Sequence, residues 1–270
     1  DLAGNQVATV DAANRRTATD YDVYNRAVAT RYYDGTSITK SYDVEGNLLT
    51  ESDRNGNVTS FEYDNLNRVI KTTFADNSFT QTEYDGVGQV IAEVDALGNR
   101  TSHEYDLTGR RVKTTDALSN VHSYAYDVDG NLISETDALS HTTTYTFDKL
   151  DRKTQTSFHN SSVVKTDYDA VSRRTSSTDQ ANIVTNYGYD ALGRLTSVTD
   201  VEGNITSYSY DEAGNKLSQT DAMSRVTKWS YDSLGRVLSR TLPLGQVESF
   251  TYDAIGNRLT HTNFNGELIS

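Results

Sequence analysis

One spacing governs this sequence. Aspartate recurs every 21 residues from the first residue to position 253, without an insertion or deletion. The chain of 270 residues therefore divides into thirteen units, of which the last has 18 residues. The repeated aspartates are Asp1, Asp22, Asp43, Asp64, Asp85, Asp106, Asp127, Asp148, Asp169, Asp190, Asp211, Asp232 and Asp253. A strict period of this length is typical of a repeat array, in which each unit packs on its neighbours. We therefore treat residues 1–270 as one array, and we expect it to be a segment of a longer chain.

An aromatic residue stands directly before each repeated aspartate from Asp22 onward. We assign a structural role to these residues, which are Tyr21, Tyr42, Tyr63, Tyr84, Tyr105, Tyr126, Phe147, Tyr168, Tyr189, Tyr210, Tyr231 and Tyr252. The residue two positions earlier is also aromatic in several units, as in Phe61 and Trp229. Because side chains alternate between the two faces of a strand, both aromatic residues of a unit should share one face. The sequence thus predicts a continuous aromatic stack on one face and a wet opposite face.

Each repeated aspartate opens a predicted turn, because its side chain can cap the backbone that follows it. Three residues later comes glycine in nine units, and Asn25, Asn67, Asp151 or Ser172 in the others. Glycine and asparagine tolerate the positive φ that closes a type I hairpin turn. A second turn with the same chemistry follows ten residues later, as at residues 95–98. The turn residues that we single out are Asp22, Gly46, Asp64, Gly109, Arg110, Gly130, Gly193, Arg194, Gly235 and Arg236.

Two turns in every unit leave two short segments that are rich in Thr, Val, Ser and Tyr, for example residues 48–52 and 58–63. Such segments favour β-strands. Each unit is therefore predicted to be a β-hairpin, and neighbouring hairpins to pair into one antiparallel ribbon of about 26 strands. Because long open sheets twist, we expect the ribbon to curl into a spiral or shell. The predicted fold class is all-β.

The composition is consistent with a thin sheet and argues against several classes of function. Only 35% of the residues are hydrophobic and the mean hydropathy is -0.64, which leaves little material for the core of an ordinary α/β enzyme. A net charge of -13 repels phosphate backbones and anionic lipid surfaces. No apolar run is long enough to span a bilayer. We therefore expect no nucleic-acid partner and no membrane span in this segment. The absence of cysteine leaves the redox compartment open.

No catalytic, cofactor-binding or metal site is predicted, and we expect a protein that is not an enzyme. The segment 127–131 is similar to the start of a calcium loop, but Ala138 stands where such a loop needs a bidentate glutamate. The five histidines and the many serines and acidic residues form no catalytic motif beyond what repetition supplies. We interpret the repeated aspartates as turn caps.

Arginine often follows the residue that closes the turn, namely at Arg26, Arg68, Arg110, Arg152, Arg173, Arg194 and Arg236. These side chains recur at one structural position. We predict that each meets the aspartate of the neighbouring unit, so that a ladder of salt bridges runs along one margin of the ribbon. The alternative is a row that binds anionic glycans, with exposed tyrosines that stack on sugar rings.

The unit as a whole resembles the YD repeat of the Rhs (rearrangement hotspot) family. The resemblance is carried by segments such as Tyr189-Asp190-Ala191-Leu192-Gly193-Arg194-Leu195 and Tyr231-Asp232-Ser233-Leu234-Gly235-Arg236-Val237, and it covers essentially the whole chain. It implies a hairpin ribbon that spirals into a hollow shell, as in bacterial polymorphic toxins, encapsulating subunits of insecticidal toxin complexes and teneurins. The family's proline-rich self-cleavage motif and its toxin domain have no counterpart here, so no such residues are carried over.

Three functional hypotheses follow. The leading one is a structural segment of a secreted or surface-exposed bacterial shell that encloses a toxin or other C-terminal cargo of the parent chain. The second is a cell-surface repeat that binds carbohydrates in adhesion. The third is an extracellular fibre formed by self-association through open strand edges.

Overall fold

The computed structural model describes residues 1–269, and all of its regular structure is β-strand. The strands are β1 (Ala8–Val10), β2 (Arg16–Tyr21), β3 (Ala27–Arg31), β4 (Ser37–Tyr42), β5 (Leu48–Ser52), β6 (Val58–Tyr63), β7 (Val69–Thr73), β8 (Phe79–Tyr84), β9 (Val90–Val94), β10 (Arg100–Tyr105), β11 (Arg111–Thr115), β12 (Val121–Tyr126), β13 (Leu132–Thr136), β14 (Thr142–Phe147), β15 (Lys153–Ser157), β16 (Val163–Tyr168), β17 (Arg174–Thr178), β18 (Val184–Tyr189), β19 (Leu195–Thr199), β20 (Ile205–Tyr210), β21 (Lys216–Thr220), β22 (Val226–Tyr231), β23 (Val237–Thr241), β24 (Val247–Tyr252), β25 (Arg258–Thr262) and β26 (Leu268–Ile269). The predicted all-β array of hairpins is confirmed, and β5 and β6 have the predicted bounds. Residues 1–269 contain no helix that could cross a membrane.

The strands belong to a 26-stranded sheet, in which strands that follow one another in sequence pair in antiparallel fashion. In the hairpin of β6 and β7, Phe61 faces Thr72 and Glu62 faces Lys71. The register then shifts, so that Tyr63 faces Val69 and Ile70 is left over as a β-bulge. The same shift recurs at the corresponding aromatic residue of other hairpins. The repeat therefore includes a bulge that the alternation of residues alone does not predict.

A residue with positive φ closes both kinds of turn. In the turns that begin at the repeated aspartates, φ is 83° at Gly193 and 60° at Asn67. In the second turns, φ is 84° at Gly98 and 65° at Ser119. A left-handed residue after a type I turn gives the backbone a twist that suits a right-twisted hairpin. The turns predicted from the sequence are therefore present at both margins of the sheet, and each is closed by a residue with positive φ.

The chain divides into two compact bodies, each of which contains several repeat units. The first comprises Asp1–Ala125 and Glu135–Ser140, and the second comprises Tyr126–Ser134 and the chain from His141 onward. Both bodies consist of the same repeated hairpins. Among residues 1–269, the apolar side chains that are buried belong to Ala18 and Ala92. Because so few apolar side chains are fully buried, hydrogen bonds and polar contacts between strands carry much of the specificity of this sheet.

Candidate functional site

The recurring polar cluster of the molecule is the turn that begins at each repeated aspartate. In the turn at Asp190, the amide of Gly193 donates to the Asp190 carbonyl at 3.0 Å, and the amide of Asp190 donates to the Arg194 carbonyl at 3.0 Å. The Oδ1 atom of Asp190 accepts the amides of Leu192 at 3.0 Å and Arg194 at 2.9 Å. The aspartate thus holds the turn closed from inside, as a capping residue does.

The arginine of the turn joins its own unit to the next one. The Nε atom of Arg194 lies 2.7 Å from Oδ2 of Asp190. Its Nη1 atom donates to the carbonyl of Asp211 at 2.6 Å, and its guanidinium lies over the ring of Tyr210, 5.0 Å from the centroid. The hydroxyl of Tyr210 in turn donates to the carbonyl of Leu195 at 2.8 Å. We call this set of four contacts the turn clamp.

The turn clamp recurs along the chain. The Nη1 bond to the carbonyl 17 residues later spans 2.6–3.0 Å, and it is made by Arg26, Arg152, Arg173, Arg194 and Arg236. Arginine lies over the tyrosine 16 residues later, at 4.2–5.0 Å from the ring centroid, at Arg26, Arg68, Arg152, Arg173, Arg194 and Arg236. Arg110 makes the same salt bridge within its turn, 2.7 Å from Asp106.

The predicted ladder of salt bridges between units is wrong in one respect. Each guanidinium pairs with the carboxylate of its own turn, four residues earlier, and it reaches the neighbouring aspartate at the backbone carbonyl. The tight turn brings the arginine beside its own carboxylate, whereas the next turn lies about two strand spacings, roughly 10 Å, away. The margin is therefore linked by hydrogen bonds from arginine to the main chain.

The hydrogen bonds of the turn stabilise the ionised form of its carboxylate. For Asp190, the bond from the Arg194 amide holds the pKa below its ordinary value of 3.8, against the opposing effect of desolvation. At Asp106, the bond from the Thr108 hydroxyl is the strongest contribution, and the pKa lies far below the ordinary range. These carboxylates are consequently ionised at neutral pH and serve as acceptors.

The repeat aromatic residues all occupy the last position of the strand that precedes the turn, from Tyr21 in β2 to Tyr252 in β24. A hydroxyl bond to the carbonyl 15 residues earlier is made by Tyr21, Tyr42, Tyr63, Tyr84, Tyr105, Tyr168, Tyr189, Tyr210, Tyr231 and Tyr252, at 2.8–3.4 Å. Phe147 keeps the ring and lacks this donor. The hydroxyl groups of the tyrosines thus connect the two adjacent strands of a unit, as Tyr210 connects β20 to β19.

The continuous aromatic stack expected from the sequence is not formed. Within the described part of the chain, rings stack in the pairs His141–His159 and Phe250–His261, with centroids 4.0 and 4.8 Å apart. Neither pair joins two repeat tyrosines. Because the aromatic residues of neighbouring hairpins are roughly 10 Å apart along the sheet, their rings cannot reach one another and cations lie between them instead.

A second contact between units was not evident from the sequence pattern. Where asparagine replaces the turn arginine, its side chain can reach the residue that closes the next turn. Asn47 donates to Oδ1 of Asn67 and Asn131 donates to Oδ1 of Asp151, at 2.8 and 2.9 Å. One sequence pattern could have predicted this contact. An asparagine that follows one turn stands 20 residues before the Asn or Asp that closes the next turn.

The similarity to a calcium loop at residues 127–131 has a structural explanation. The carboxylate of Asp127 accepts the amides of Asp129 and Asn131 and the Asn131 side chain, at 2.8–3.0 Å. These bonds form the same closed turn as in the other units. Over residues 1–269, no group of three or more His, Cys, Asp or Glu side chains is placed to hold a metal ion.

Comparison with known families decides what these clamped hairpins are. The model of the RHS repeat matches residues 42–78, 84–121, 126–158, 168–205, 189–222, 210–247 and 231–268. The chain belongs to the RHS repeat family. Every matched RHS segment begins at the aromatic residue before a repeated aspartate. The family's repeat is therefore in phase with the 21-residue unit, and each match extends from one unit into the next.

Solved structures share the fold of these RHS repeats. The crystal structure of TcdB2-TccC3-Cdc42 is 14% identical with a TM-score of 0.51, and covers 97% of this chain and 18% of that chain. The structure of TcdB2-TccC3 without its hypervariable C-terminal region is 16% identical with a TM-score of 0.51, and covers 97% and 19% of the two chains. The RHS array thus spans under a fifth of those proteins. No curated protein matches the sequence.

Proposed function

We propose that this RHS array is a non-enzymatic wall segment of a hollow shell that encloses a C-terminal cargo of its parent chain, such as a toxin domain. The observation that carries the proposal is the uninterrupted period, in which every hairpin pairs with the next and clamps of one geometry recur at the arginine turns. A wall needs such continuity, because an inserted loop would open a gap. The parent protein is proposed to be secreted or exposed at a bacterial cell surface.

Two structural relatives support this proposal. One is TcdB2-TccC3-Cdc42, and the other is TcdB2-TccC3 without its hypervariable C-terminal region. We propose the same arrangement for the parent of this chain, in which a conserved shell is followed by a variable C-terminal part. The likeness of fold supports the shell.

Limited proteolysis of the parent protein tests the enclosure. The C-terminal domain should resist a protease in the intact protein and be cut when it is expressed alone. A double change, Arg173→Gln with Arg194→Gln, removes two consecutive clamps and should increase cutting of the enclosed domain. If the domain is cut equally fast in the intact protein and alone, the array does not enclose it.

Carbohydrate binding in adhesion is the second candidate function. It is favoured by Tyr24 and Tyr33, whose side chains lie at turn tips and are 67% and 60% exposed. Arg26 lies over the Tyr24 ring at 5.0 Å, and Arg15 lies over the Tyr33 ring at 5.3 Å. A glycan array with the wild-type chain and a Tyr24→Ala, Tyr33→Ala variant tests it, and absence of binding by the wild type would count against adhesion.

A further inference from the structure

One face of the sheet between β14 and β25 carries aromatic rings and cations. The register places the rings and the cations on the same face. Tyr145 faces Thr156 and Phe147 faces Lys153, and residues at the corresponding positions of the later hairpins pair in the same way. We call this surface the aromatic–cation face. It is formed by Tyr145, Lys153, Arg174, Tyr187, Tyr208, Lys216, Trp229, Phe250 and Arg258.

The cations of this face lie against rings. The Nζ atom of Lys216 is 3.9 Å from the centroid of the Trp229 ring and 5.9 Å from that of Tyr208. Arg174 lies 4.2 Å from the Tyr187 centroid, and Lys153 lies 5.2 Å from the Tyr145 centroid. Rings attract cations through their quadrupole but leave the positive charge uncancelled.

No carboxylate of the described chain forms a salt bridge with Lys153, Arg174, Lys216 or Arg258. The acidic strand residue on this face is Glu248, and it pairs with Arg240 at 3.2 Å and His261 at 2.8 Å. The nearby turn aspartates are bonded to their own arginines or asparagines. Four cations therefore lack a counter-ion in a chain whose net charge is -13.

The opposite face of the same strands has a different character. Its strands are joined by hydroxyl pairs such as Ser209–Ser218 and Ser230–Ser239, each at 2.6 Å. Lys165 and Lys228 lie on that face and face Gln155 and Ser218 across the strands. Among the described residues of these strands, the rings and four unpaired cations thus lie on one side of the sheet, whereas the opposite side holds two unpaired lysines and hydroxyl pairs.

The spacing of the cations defines the shape of a partner. Consecutive hairpins repeat every two strands, which is about 9.6 Å. A polyproline II helix has three residues per turn and rises about 9.3 Å per turn, so that every third residue returns to the same side. A β-strand cannot do this, since its residues i and i+3 point to opposite sides. A polyproline II segment that crosses the strands therefore presents one side chain to each hairpin.

We propose that the aromatic–cation face binds an acidic polypeptide segment in polyproline II conformation. Lys153 and Arg174 are one hairpin apart, Lys216 follows two hairpins later, and Arg258 two after that. Acidic residues at positions 1, 4, 10 and 16 of the segment match these cations, because three residues correspond to each hairpin of about 9.6 Å. Rings suit this backbone, as in other aromatic-lined surfaces that bind proline-rich segments.

Other polymers fit this face less well. Neutral sugars carry no negative charge that could pair with Lys216 and Arg174, which lie against the rings of Trp229 and Tyr187. Nucleic acids carry a higher density of negative charge and are repelled by the acidic turns at both margins. The proposal goes beyond the function proposed above and does not depend on it.

Fluorescence anisotropy with a labelled peptide tests the proposal. A (Glu-Pro-Pro)6 peptide should bind saturably and change the emission of Trp229, which is the one tryptophan of the chain. A (Lys-Pro-Pro)6 peptide should not bind. The variant Lys153→Gln, Arg174→Gln, Lys216→Gln should weaken binding by about tenfold, since three charge pairs are lost. The matched variant Lys165→Gln, Lys228→Gln, on the opposite face, should bind as the wild type does.

Three outcomes would overturn the proposal. They are absence of binding by the acidic peptide, equal binding by the basic one, and equal loss in the two variants. Oligogalacturonate and an oligodeoxynucleotide serve as competitors, and binding of either without the acidic peptide would assign the face to another polymer. Circular dichroism of each variant shows whether the sheet is retained. If the triple variant unfolds, Lys216→Gln alone should still weaken binding.

Discussion

The hydroxyl of Tyr210 offers a clean test of the turn clamp. It donates from the end of β20 to the carbonyl of Leu195 in β19 at 2.8 Å, next to the bond by which Arg194 reaches the following turn. Replacing Tyr210 with phenylalanine removes this bond and keeps the ring under the guanidinium. A net hydrogen bond in a protein stabilises the folded state by about 0.5–1.5 kcal/mol. Local opening of β19 and β20 should therefore become about 2- to 12-fold more frequent.

The control lies two residues earlier on the same strand. Tyr208 is also on the aromatic side of β20, and its hydroxyl makes no hydrogen bond within the described residues. Amide hydrogen exchange, followed by mass spectrometry on peptides from β19 and β20, measures the opening of both variants. Tyr210→Phe should exchange faster and Tyr208→Phe should match the wild type. Equal rates in the two variants would refute a stabilising role for the hydroxyl bond in the turn clamp.

Three further predictions follow from the turns. Gly193→Ala should destabilise the sheet by about 1 kcal/mol, because φ is +83° there, while Gly86→Ala, at a turn position without positive φ, should be neutral in urea unfolding. Asn47→Ala should destabilise more than Asn57→Ala, since the Asn47 side chain bonds the next unit at 2.8 Å and the Asn57 side chain bonds its own turn, and thermal unfolding can compare the two. Because the folded pKa values of the turn aspartates are lowered from 3.8, their stabilising effect is complete at neutral pH and is lost as pH falls through those lowered values. Trp229 fluorescence should therefore report unfolding in acid below about pH 4, and an unchanged signal at pH 2 would contradict the role of the carboxylates.

Much of the local structure was predictable from the sequence, because the same pattern of turn and strand residues recurs along the chain. Turns and strands depend on neighbours in sequence, so Asp, Gly and the alternating segments between them fix the hairpins and their number. The bounds of β5 and β6 followed directly from these signals.

The contacts between hairpins were less accessible from the sequence. The β-bulge at Ile70 depends on how two strands meet, which no single strand pattern contains. The expected aromatic stack does not form, because rings contact one another only within a few ångströms. The distance between neighbouring hairpins is larger than this. The salt bridge of Arg194 went to its own turn since the side chain has a nearer carboxylate there.

The offsets of the contacts between strands have a consequence for how such a chain changes length. The bonds described above join residues 15, 17 and 20 positions apart, all within one period. Loss of 21 residues by recombination brings together two units that can form the same bonds, whereas loss of ten would place one kind of turn against the other. The number of repeats can thus vary by whole units in evolution while each junction keeps its chemistry.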